Sequence, residues 1–436
     1  MRKILISLVC LLIGAAGYAQ DYPVKVKVLK NGLKVIVCEM PSRGFVQSEV
    51  WYKVGSKDEK PGIYGIAHMC EHMMFRGSKK YPGSLINRIE QSGIPGFDAY
   101  TDFDRTVYWE YAPVDYLDTI MDIESDRMAN LVITQDLLNI EREAVAEEYS
   151  NGLNTWYERM NDERYKFLYP QGHPYKEDVI GEYSDIESFT AEECKSFYDS
   201  YYSPNNAFLV IAGDVKSDAV FAMAEKYFGP ITKQLSLKKR TDIPDIYSNK
   251  IEKNEMGIDY PIQIYSYVYP KPEAGNKDTK ALNMLISLLF TDENSIINER
   301  IVDKEKLAYG INNYSQGEML FPSYGIIDVF MGPMPGNVKV KKEIREVINN
   351  VIASGISQEK IDKFVQAYES AYTLEGYEPS NVAARLGIGE YYYNDPLAAA
   401  KELEEYKKIT SGDLKAVAAK YLSETALQFI NIKPSF

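Results

Sequence analysis

Two segments of this chain, one near its middle and one at its end, resemble each other without a gap. SFTAEECKSFYDSYYSPNNAFLVIAGD begins at Ser188, and KITSGDLKAVAAKYLSETALQFINIKP begins at Lys408. Thr190 matches Thr410, and the apolar positions stay in phase along both segments. Each pattern predicts a threonine N-cap, an amphipathic helix, a short turn and a strand. Because each segment closes one half of the chain, internal duplication is the better interpretation than chance similarity.

The duplication predicts an α+β fold made of two homologous α/β-sandwich domains. A chain of 436 residues suits two domains of roughly 200 residues each. Strand and helix patterns are mixed in the first half, where Asn31-Gly32 predicts a hairpin turn. We place the N-terminal domain at residues 20–232 and the C-terminal domain at residues 251–436. The linker, residues 233–250, carries prolines and a basic cluster, a composition that predicts an exposed segment.

The start of the chain has the pattern of a secretory signal peptide. Arg2 and Lys3 precede an apolar run at residues 4–16, and small residues follow up to Ala19. We therefore predict a signal peptide at residues 1–19, with cleavage after Ala19 and export, in a bacterium to the periplasm. A lipid-attachment site at Cys10 is the weaker interpretation, because this cysteine lies inside the apolar run.

Composition excludes several classes of partner. The longest apolar stretch of the mature chain, residues 281–290, is about half the ~20 residues that a membrane-spanning helix needs. The net charge of −14 argues against binding to nucleic acid or to an anionic lipid surface. We expect the partners to be peptides, unfolded polypeptides or another protein subunit.

The stretch AHMCEHMMFRGS, residues 67–78, holds two of the three histidines in the chain. His68, Glu71 and His72 fall on one side of a helix predicted over residues 62–75, whereas Cys70 points away and is interpreted as a buried filler. Two imidazoles one turn apart can bind zinc, and a carboxylate beside them can deprotonate a zinc-activated water. H-x-x-E-H is the inverzincin signature. The alternative is a helix with two ordinary polar histidines.

A zinc site needs at least a third protein ligand, and an acidic segment can provide it. In NIEREAVAEEYSNG, residues 139–152, Glu141 and Glu148 lie seven apart and share one helix face. Alone, this segment would be interpreted as a solvated acidic helix. Together with the histidine pair, it predicts Glu148 as the third ligand and Glu141 as a group that orients a ligand.

These motifs together resemble the pitrilysin/insulinase family of zinc metallopeptidases, in its short two-domain branch with the mitochondrial processing peptidases and their bacterial relatives. The resemblance extends along nearly all of the mature chain, including GHPY at residues 172–175. It implies one Zn²⁺ per chain, Glu71 as general base, a structural role for His173, and two domains that enclose a cleft on dimerisation. The implied activity is that of a metalloendopeptidase acting on peptides or unfolded segments. The zinc ligands implied are His68, His72 and Glu148.

The segment GIPGFDAYTDFDRTVYWEY, residues 93–111, predicts two strands or one bent strand. From its residues alone it is an ordinary hairpin. The resemblance implies an edge strand that pairs with the substrate backbone and places Asp98, Ala99 and Tyr100 at the substrate. The family usually has asparagine where this chain has Asp98, and a carboxylate cannot donate the hydrogen bonds of an amide.

The segment NSIINERIVDKEKLAYGINN, residues 294–313, departs from the family pattern. In the family, an arginine and a tyrosine seven residues apart reach the active site to hold the substrate and its oxyanion. Tyr309 matches the tyrosine, but Val302 stands in place of the arginine and Arg300 is two residues early. We expect a homodimer or a heterodimer, and this departure favours a heterodimer in which a related subunit supplies the arginine. The alternative function is a non-catalytic peptide-binding or assembly subunit, which the intact zinc motif argues against.

Overall fold

The chain folds into two α+β halves, each built on one mixed sheet. The computed structural model describes residues 22–237, 240–251, 254–292, 294–315, 317–332 and 337–435, so the signal peptide predicted at residues 1–19 lies outside the described residues. We call residues 22–237 the first half and residues 240–435 the second half. The α+β class and the duplication are confirmed.

The first half contains six strands and eight α-helices. Its strands are β1 (Val24–Val28), β2 (Lys34–Glu39), β3 (Phe45–Tyr52), β4 (Gly96–Thr101), β5 (Thr106–Pro113) and β6 (Ala207–Gly213). Its helices are α1 (Ile66–Met73), α2 (Leu85–Gln91), α3 (Leu117–Asn130), α4 (Gln135–Gly152), α5 (Trp156–Leu168), α6 (Tyr183–Ser188), α7 (Ala191–Tyr201) and α8 (Ser217–Tyr227).

The described part of the second half contains five strands and six α-helices. Its strands are β7 (Glu255–Ile258), β8 (Gln263–Lys271), β9 (Gly310–Asn313), β10 (Ser323–Met331) and β11 (Gln428–Pro434). Its helices are α9 (Thr279–Ile286), α10 (Asn337–Ser354), α11 (Gln358–Glu375), α12 (Pro379–Tyr393), α13 (Ala398–Tyr406) and α14 (Ser411–Tyr421). Within the described ranges, no helix is long and apolar enough to cross a bilayer.

Each half is organised around its sheet. The first sheet has the strand order β1-β2-β6-β3-β5-β4, and the second has the order β7-β11-β8-β10-β9. The predicted hairpin forms, with β1 antiparallel to β2 and Gly32 at φ 96°, a left-handed conformation that glycine adopts at little cost. Strand β4 lies at one edge of the first sheet, so one side of its backbone is open for pairing.

The two repeated segments fold in the same way. Thr190 caps α7 and Thr410 caps α14, each through a hydroxyl that accepts the backbone N–H three residues later. The acidic residues at those positions, Glu193 and Asp413, bond back to the threonine N–H and complete two capping boxes. Each helix leads to a strand inside its sheet, β6 or β11. The local signals seen in the sequence therefore set both helix starts.

Each half contributes one helix that packs on the outer face of the other half's sheet. Helix α12, from the second half, covers the outer face of the first sheet, where Leu386 packs in one cluster with Trp51 and Phe208. A Cβ at Gly387 would lie 2.2 Å from a Trp51 ring carbon, so only glycine permits this approach. Helix α5, from the first half, covers the second sheet in the same manner, with Met160 and Leu168 against its strands. The outer face of each sheet is therefore buried by a helix of the other half.

Two local expectations need correction. Helix α1 begins at Ile66 rather than near residue 62, because the Gly65 backbone is left-handed at φ 95°. The linker segment is not wholly exposed, because Ile246 is buried in the same apolar cluster as α5 and the second sheet. Its carbonyl accepts a hydrogen bond from the Tyr324 hydroxyl at 3.2 Å. In both places a tertiary contact that the local pattern does not show changes the outcome.

Candidate functional site

The start of α1 is fixed by a buried carboxylate. Glu59 accepts the Gly65 N–H through Oε2 at 2.8 Å and the Ala67 N–H through Oε1 at 2.9 Å. These are two of the N–H groups that a helix start leaves without partners. Glu59 thus sets the position of the helix that carries His68, Glu71 and His72.

Helix α4 packs against α1 and brings Glu148 to the two histidines. Glu148 Oε2 lies 3.7 Å from His68 Nε2 and 3.5 Å from His72 Nε2. One ligand atom from each of the three residues lies within 4.8 Å of the others. Ligand atoms placed tetrahedrally about 2 Å from zinc are about 3.3 Å apart, so this donor set fits a zinc ion with one position open.

Glu141 binds the far side of His72. Its Oε2 lies 3.0 Å from His72 Nδ1, and its Oε1 accepts a hydrogen bond from Arg76 Nε. Since a carboxylate can only accept, Nδ1 of His72 donates to Glu141, which leaves Nε2, on the Glu148 side, as the ring nitrogen available to a metal. The structure therefore places Glu141 where it fixes both the ring orientation and the tautomer that a metal ligand needs.

Burial sets the protonation preferences of the other two motif residues. Burial, together with the neighbouring His72, lowers the pKa of His68 to about 4, which favours the neutral imidazole that binds metals. Burial raises the pKa of Glu71 above its usual value, and a hydrogen bond from the Thr101 hydroxyl partly opposes this shift. That bond joins Thr101 Oγ1 to Glu71 Oε2 at 2.6 Å. A carboxyl with a raised pKa is suited to accept and return a proton.

Strand β4 runs beside this cluster. It pairs with β5 on one side, with Ala99 opposite Tyr108, and its other side is an edge. Asp98 and Tyr100 are exposed, whereas Ala99 packs partly against the core of the first half. Asp98 accepts the backbone N–H of Ala99 at 2.8 Å. The three residues predicted at the substrate therefore lie on an open strand edge next to the histidine helix.

The predicted Arg/Tyr segment lies on the second half. Tyr309 is 74% exposed, with its hydroxyl close to Gly332. Val302 packs partly against the core of the second half. Arg300 forms ion pairs with Glu343 and with Glu346, so its guanidinium is held within its own half.

Cys70 and His173 lie outside the donor set. Cys70 is fully buried, its pKa is raised by burial, and its thiol contacts the Cys194 carbonyl at 3.8 Å. His173 is buried in the loop after α5, where its Nδ1 accepts the Tyr175 N–H at 3.1 Å. Its ring stacks on Tyr169 at 4.6 Å between centroids. Both side chains contribute to packing.

Three residues of this site were not singled out from the sequence. Glu59 carried a weak signal, a carboxylate shortly before a helix start. Thr101 lies within the quoted strand segment, but nothing local shows that its hydroxyl reaches Glu71. Arg76 lies near the end of the motif stretch, and nothing local shows that it binds Glu141. Thr101 and Arg76 act on residues 30 and 65 positions away, whereas Glu59 acts on residues six and eight positions away.

Comparison with known proteins agrees with this arrangement. The family profile described as Insulinase (Peptidase family M16) matches residues 34–178, which contain the zinc motif and Glu148, and the profile described as Peptidase M16 inactive domain matches residues 188–368. Zinc protease PqqE of Helicobacter pylori is 28% identical over 446 residues, covering 98% of this chain and 97% of that protein. An uncharacterized zinc protease of Streptomyces coelicolor is 22% identical over 410 residues, covering 89% of this chain and 85% of that protein.

Solved structures show the same fold. A protease from Helicobacter pylori, 26% identical, superposes with a TM-score of 0.82 and covers 95% of this chain and 100% of that chain. The first half of the periplasmic protease PqqL from Escherichia coli, 19% identical, superposes with a TM-score of 0.79, covering 96% of this chain and 93% of that chain. The duplicated fold, the His-His-Glu cluster and both family matches lead to one assignment: the chain belongs to the insulinase family, peptidase family M16.

Proposed function

We propose that this chain is an exported zinc metalloendopeptidase that hydrolyses peptides or unfolded polypeptide segments. One observation carries the proposal: Glu148 meets His68 and His72 within metal-ligand range, beside the buried carboxylate of Glu71 and the open edge of β4. The relatives named zinc proteases support it, since they align along nearly the whole chain.

His68, His72 and Glu148 would hold one Zn²⁺ per chain, which when bound supplies a Lewis acid for the scissile carbonyl and acidifies a water. Glu71 takes the proton from the attacking water and returns it to the leaving amine. Because Oε2 of Glu71 accepts the Thr101 hydroxyl, we assign the proton transfer to Oε1. Glu141 keeps the Nε2 lone pair of His72 directed into the site.

The substrate in this proposal extends the first sheet along β4. Pairing through backbone N–H and C=O groups gives affinity with little dependence on side chains, which suits peptides and unfolded segments. Asp98, Ala99 and Tyr100 provide this edge. We assign Tyr309 to the oxyanion; with 74% of the residue exposed on the second half, it is accessible to a neighbouring chain.

The decisive experiment compares the wild type with Glu71→Gln. We expect about one zinc per chain in both proteins and cleavage of an unstructured peptide by the wild type, with kcat lowered about 10²–10⁴-fold or more in the variant. Glu147→Gln, an exposed neighbour on α4, is the matched control and should keep full activity. Wild type that contains no zinc would overturn the metal site. Zinc without cleavage, with candidate partners present, would favour the non-catalytic peptide-binding alternative.

We also propose that the working enzyme is a dimer. Val302 packs partly in the core of the second half and Arg300 is held by Glu343 and Glu346, so neither supplies the arginine that the family resemblance implies. A heterodimer with a related subunit would provide that arginine. The purified chain alone should then cleave peptides weakly and gain activity when the related subunit is added. Full activity as a homodimer would refute the heterodimer.

Export rests on the signal-peptide pattern at residues 1–19. A fold neighbour, PqqL of Escherichia coli, is described as a periplasmic protease, which is compatible with the same location. Fractionation of cells that express the full chain should recover a shortened protein outside the cytoplasm. A full-length protein confined to the cytoplasm would exclude export.

A further inference from the structure

The turn that joins β4 to β5 is held by the second half of the chain. Its central residue, Asp104, is fully buried. Asp104 Oδ2 accepts the Leu320 N–H at 2.8 Å and the Tyr392 hydroxyl at 3.3 Å. The Asp104 carbonyl also accepts the Tyr391 hydroxyl. Leu320 precedes β10, and the two tyrosines lie on the exchanged helix α12, so two separate parts of the second half converge on one carboxylate.

The first half also donates hydrogen bonds to Asp104. Asp104 Oδ1 accepts the Tyr175 hydroxyl at 2.7 Å, and the Asp104 carbonyl accepts Lys57 Nζ at 2.6 Å. The Tyr175 hydroxyl in turn accepts the Phe321 N–H at 3.0 Å. The His-Pro-Tyr segment, to which sequence similarity assigns no more than a structural role, thus joins the β4–β5 turn to the second half.

Within the turn, a series of hydrogen bonds connects Asp104 to β4. Asp102 Oδ1 accepts the backbone N–H groups of Asp104 at 2.7 Å and of Arg105 at 2.8 Å, which closes the turn. Arg105 donates to the Tyr392 hydroxyl at 2.8 Å and to the Tyr100 hydroxyl at 3.4 Å. At the end of β4, Thr101 bonds to Glu71. Strand β4 is therefore held by Glu71, through Thr101, and by the second half, through the β4–β5 turn.

We propose that Asp104 is a positioning residue that locks the open edge of β4 to the second half, so that a peptide paired along β4 is in register with Glu71. The inference rests on the proposed peptidase function and adds to it a role for the second half in binding extended substrates. The number of hydrogen bonds that the Asp104 carboxylate accepts supports this role. A carboxylate accepts on both oxygens, whereas an asparagine would turn its NH₂ group toward at least one of the donors that now bind Asp104.

The test uses substrate length. Asp104→Asn is compared with the wild type on an unstructured peptide of about twelve residues, which can pair along the strand, and on one of about four residues, which cannot. We expect kcat/KM on the long peptide to fall about tenfold or more, chiefly through KM, and on the short peptide by less than about twofold. Bound zinc should stay at the wild-type level.

Asp328→Asn is the matched control. Asp328 is an equally buried carboxylate that joins the halves, through Arg164 Nη1 at 2.8 Å, but it lies on β10 and its hydrogen bonds come from Arg164, Ser266 and Tyr157. Both variants should lower the unfolding temperature, and assays are run below both transitions. Only Asp104→Asn should change the ratio of long-peptide to short-peptide kcat/KM. Tyr392→Phe, which removes one hydroxyl from the turn, gives the same comparison should Asp104→Asn fail to fold.

The outcomes separate this inference from the proposed function. A wild type that cleaves neither peptide refutes the peptidase itself. A wild type that cleaves both, with equal losses on the two peptides in Asp104→Asn or an equal change of ratio in Asp328→Asn, refutes the positioning role and leaves the peptidase standing. An unchanged ratio in Tyr392→Phe, where Asp104→Asn does not fold, also refutes it.

Discussion

His72 uses its two ring nitrogens for different purposes. Nδ1 faces the buried Glu141 at 3.0 Å, while Nε2 lies 3.5 Å from Glu148. The Arg76 guanidinium binds the other oxygen of Glu141, so the carboxylate is held on both sides. At the scale of single residues, the proposed metal site therefore depends on groups behind the ligands as well as on the ligands themselves.

Glu141→Gln should weaken zinc binding by about 10–100-fold, because a glutamine can present its NH₂ group to His72 and no longer fixes the tautomer. The measurement is a zinc titration against a competing chelator. Glu143→Gln, an exposed position on the same helix, should bind zinc as the wild type does. Equal affinities in the two variants would show that Glu141 does not support the site.

At the scale of elements, short segments are positioned by side chains from elsewhere in the chain. Helix α1 spans only Ile66–Met73, and a helix of this length is not stable alone in water. The Glu59 cap and the apolar residues of the first core hold it in place. The loop with His173 and Tyr175 is similar: it has no regular structure, yet it connects to the β4–β5 turn through Asp104.

The buried His173 makes this loop sensitive to acid. Burial lowers its pKa to about 4, below the value of about 6.5 in the unfolded chain, so the unfolded state binds the proton more readily. The stabilising contribution is complete above pH 6.5 and is lost as the pH falls through 4. Over this window it amounts to about 3 kcal/mol, since one pKa unit corresponds to about 1.4 kcal/mol.

His173→Asn keeps an acceptor for the Tyr175 N–H but does not titrate. The free energy of unfolding of the variant should therefore fall less steeply than that of the wild type between pH 6.5 and 4. Denaturant unfolding at several pH values measures the difference, in which titrations common to both proteins cancel. Parallel curves for the two proteins would contradict the assignment.

At the scale of the whole molecule, the exchange of α5 and α12 makes the halves interdependent. A fully buried ion pair joins α5 to the second sheet. In it, Arg164 of α5 donates to both oxygens of Asp328 on β10, at 2.8 and 3.0 Å. Ser266 adds a hydroxyl to the same carboxylate. Because each sheet is covered by a helix of the other half, we expect the two halves to unfold together.

Asp328→Ala should lower the free energy of unfolding by about 3–5 kcal/mol, because it leaves the Arg164 guanidinium buried without a counter-charge. Glu359→Gln, which breaks an exposed ion pair with Lys363, should change it by no more than about 0.5 kcal/mol. Chemical unfolding followed by far-UV and near-UV circular dichroism measures both. Two separate transitions in the wild type would contradict the coupling of the halves.

Much of this fold could be predicted from local patterns in the sequence. The Asn31-Gly32 turn, the capping boxes at Thr190 and Thr410, and the in-phase apolar positions act within a few residues, so their outcome does not depend on the rest of the chain. Helical spacing likewise places His68, Glu71 and His72 together, and Glu141 with Glu148, because 3.6 residues make a turn. The roles assigned to these residues stay predictions that zinc binding and mutagenesis must test.

Spacing along the chain is enough to predict the duplicated α+β class, the helix and hairpin signals and the two groups of zinc-motif residues. The packed fold was needed to show that Glu59 caps the start of α1, that Thr101 reaches Glu71, and that α5 and α12 each cover the other half's sheet. The contact between Asp104 and the second half is also visible only in the packed fold. These contacts link residues on different elements, many of them far apart in sequence, and the geometry of burial and hydrogen bonding that creates them exists only once both halves have packed.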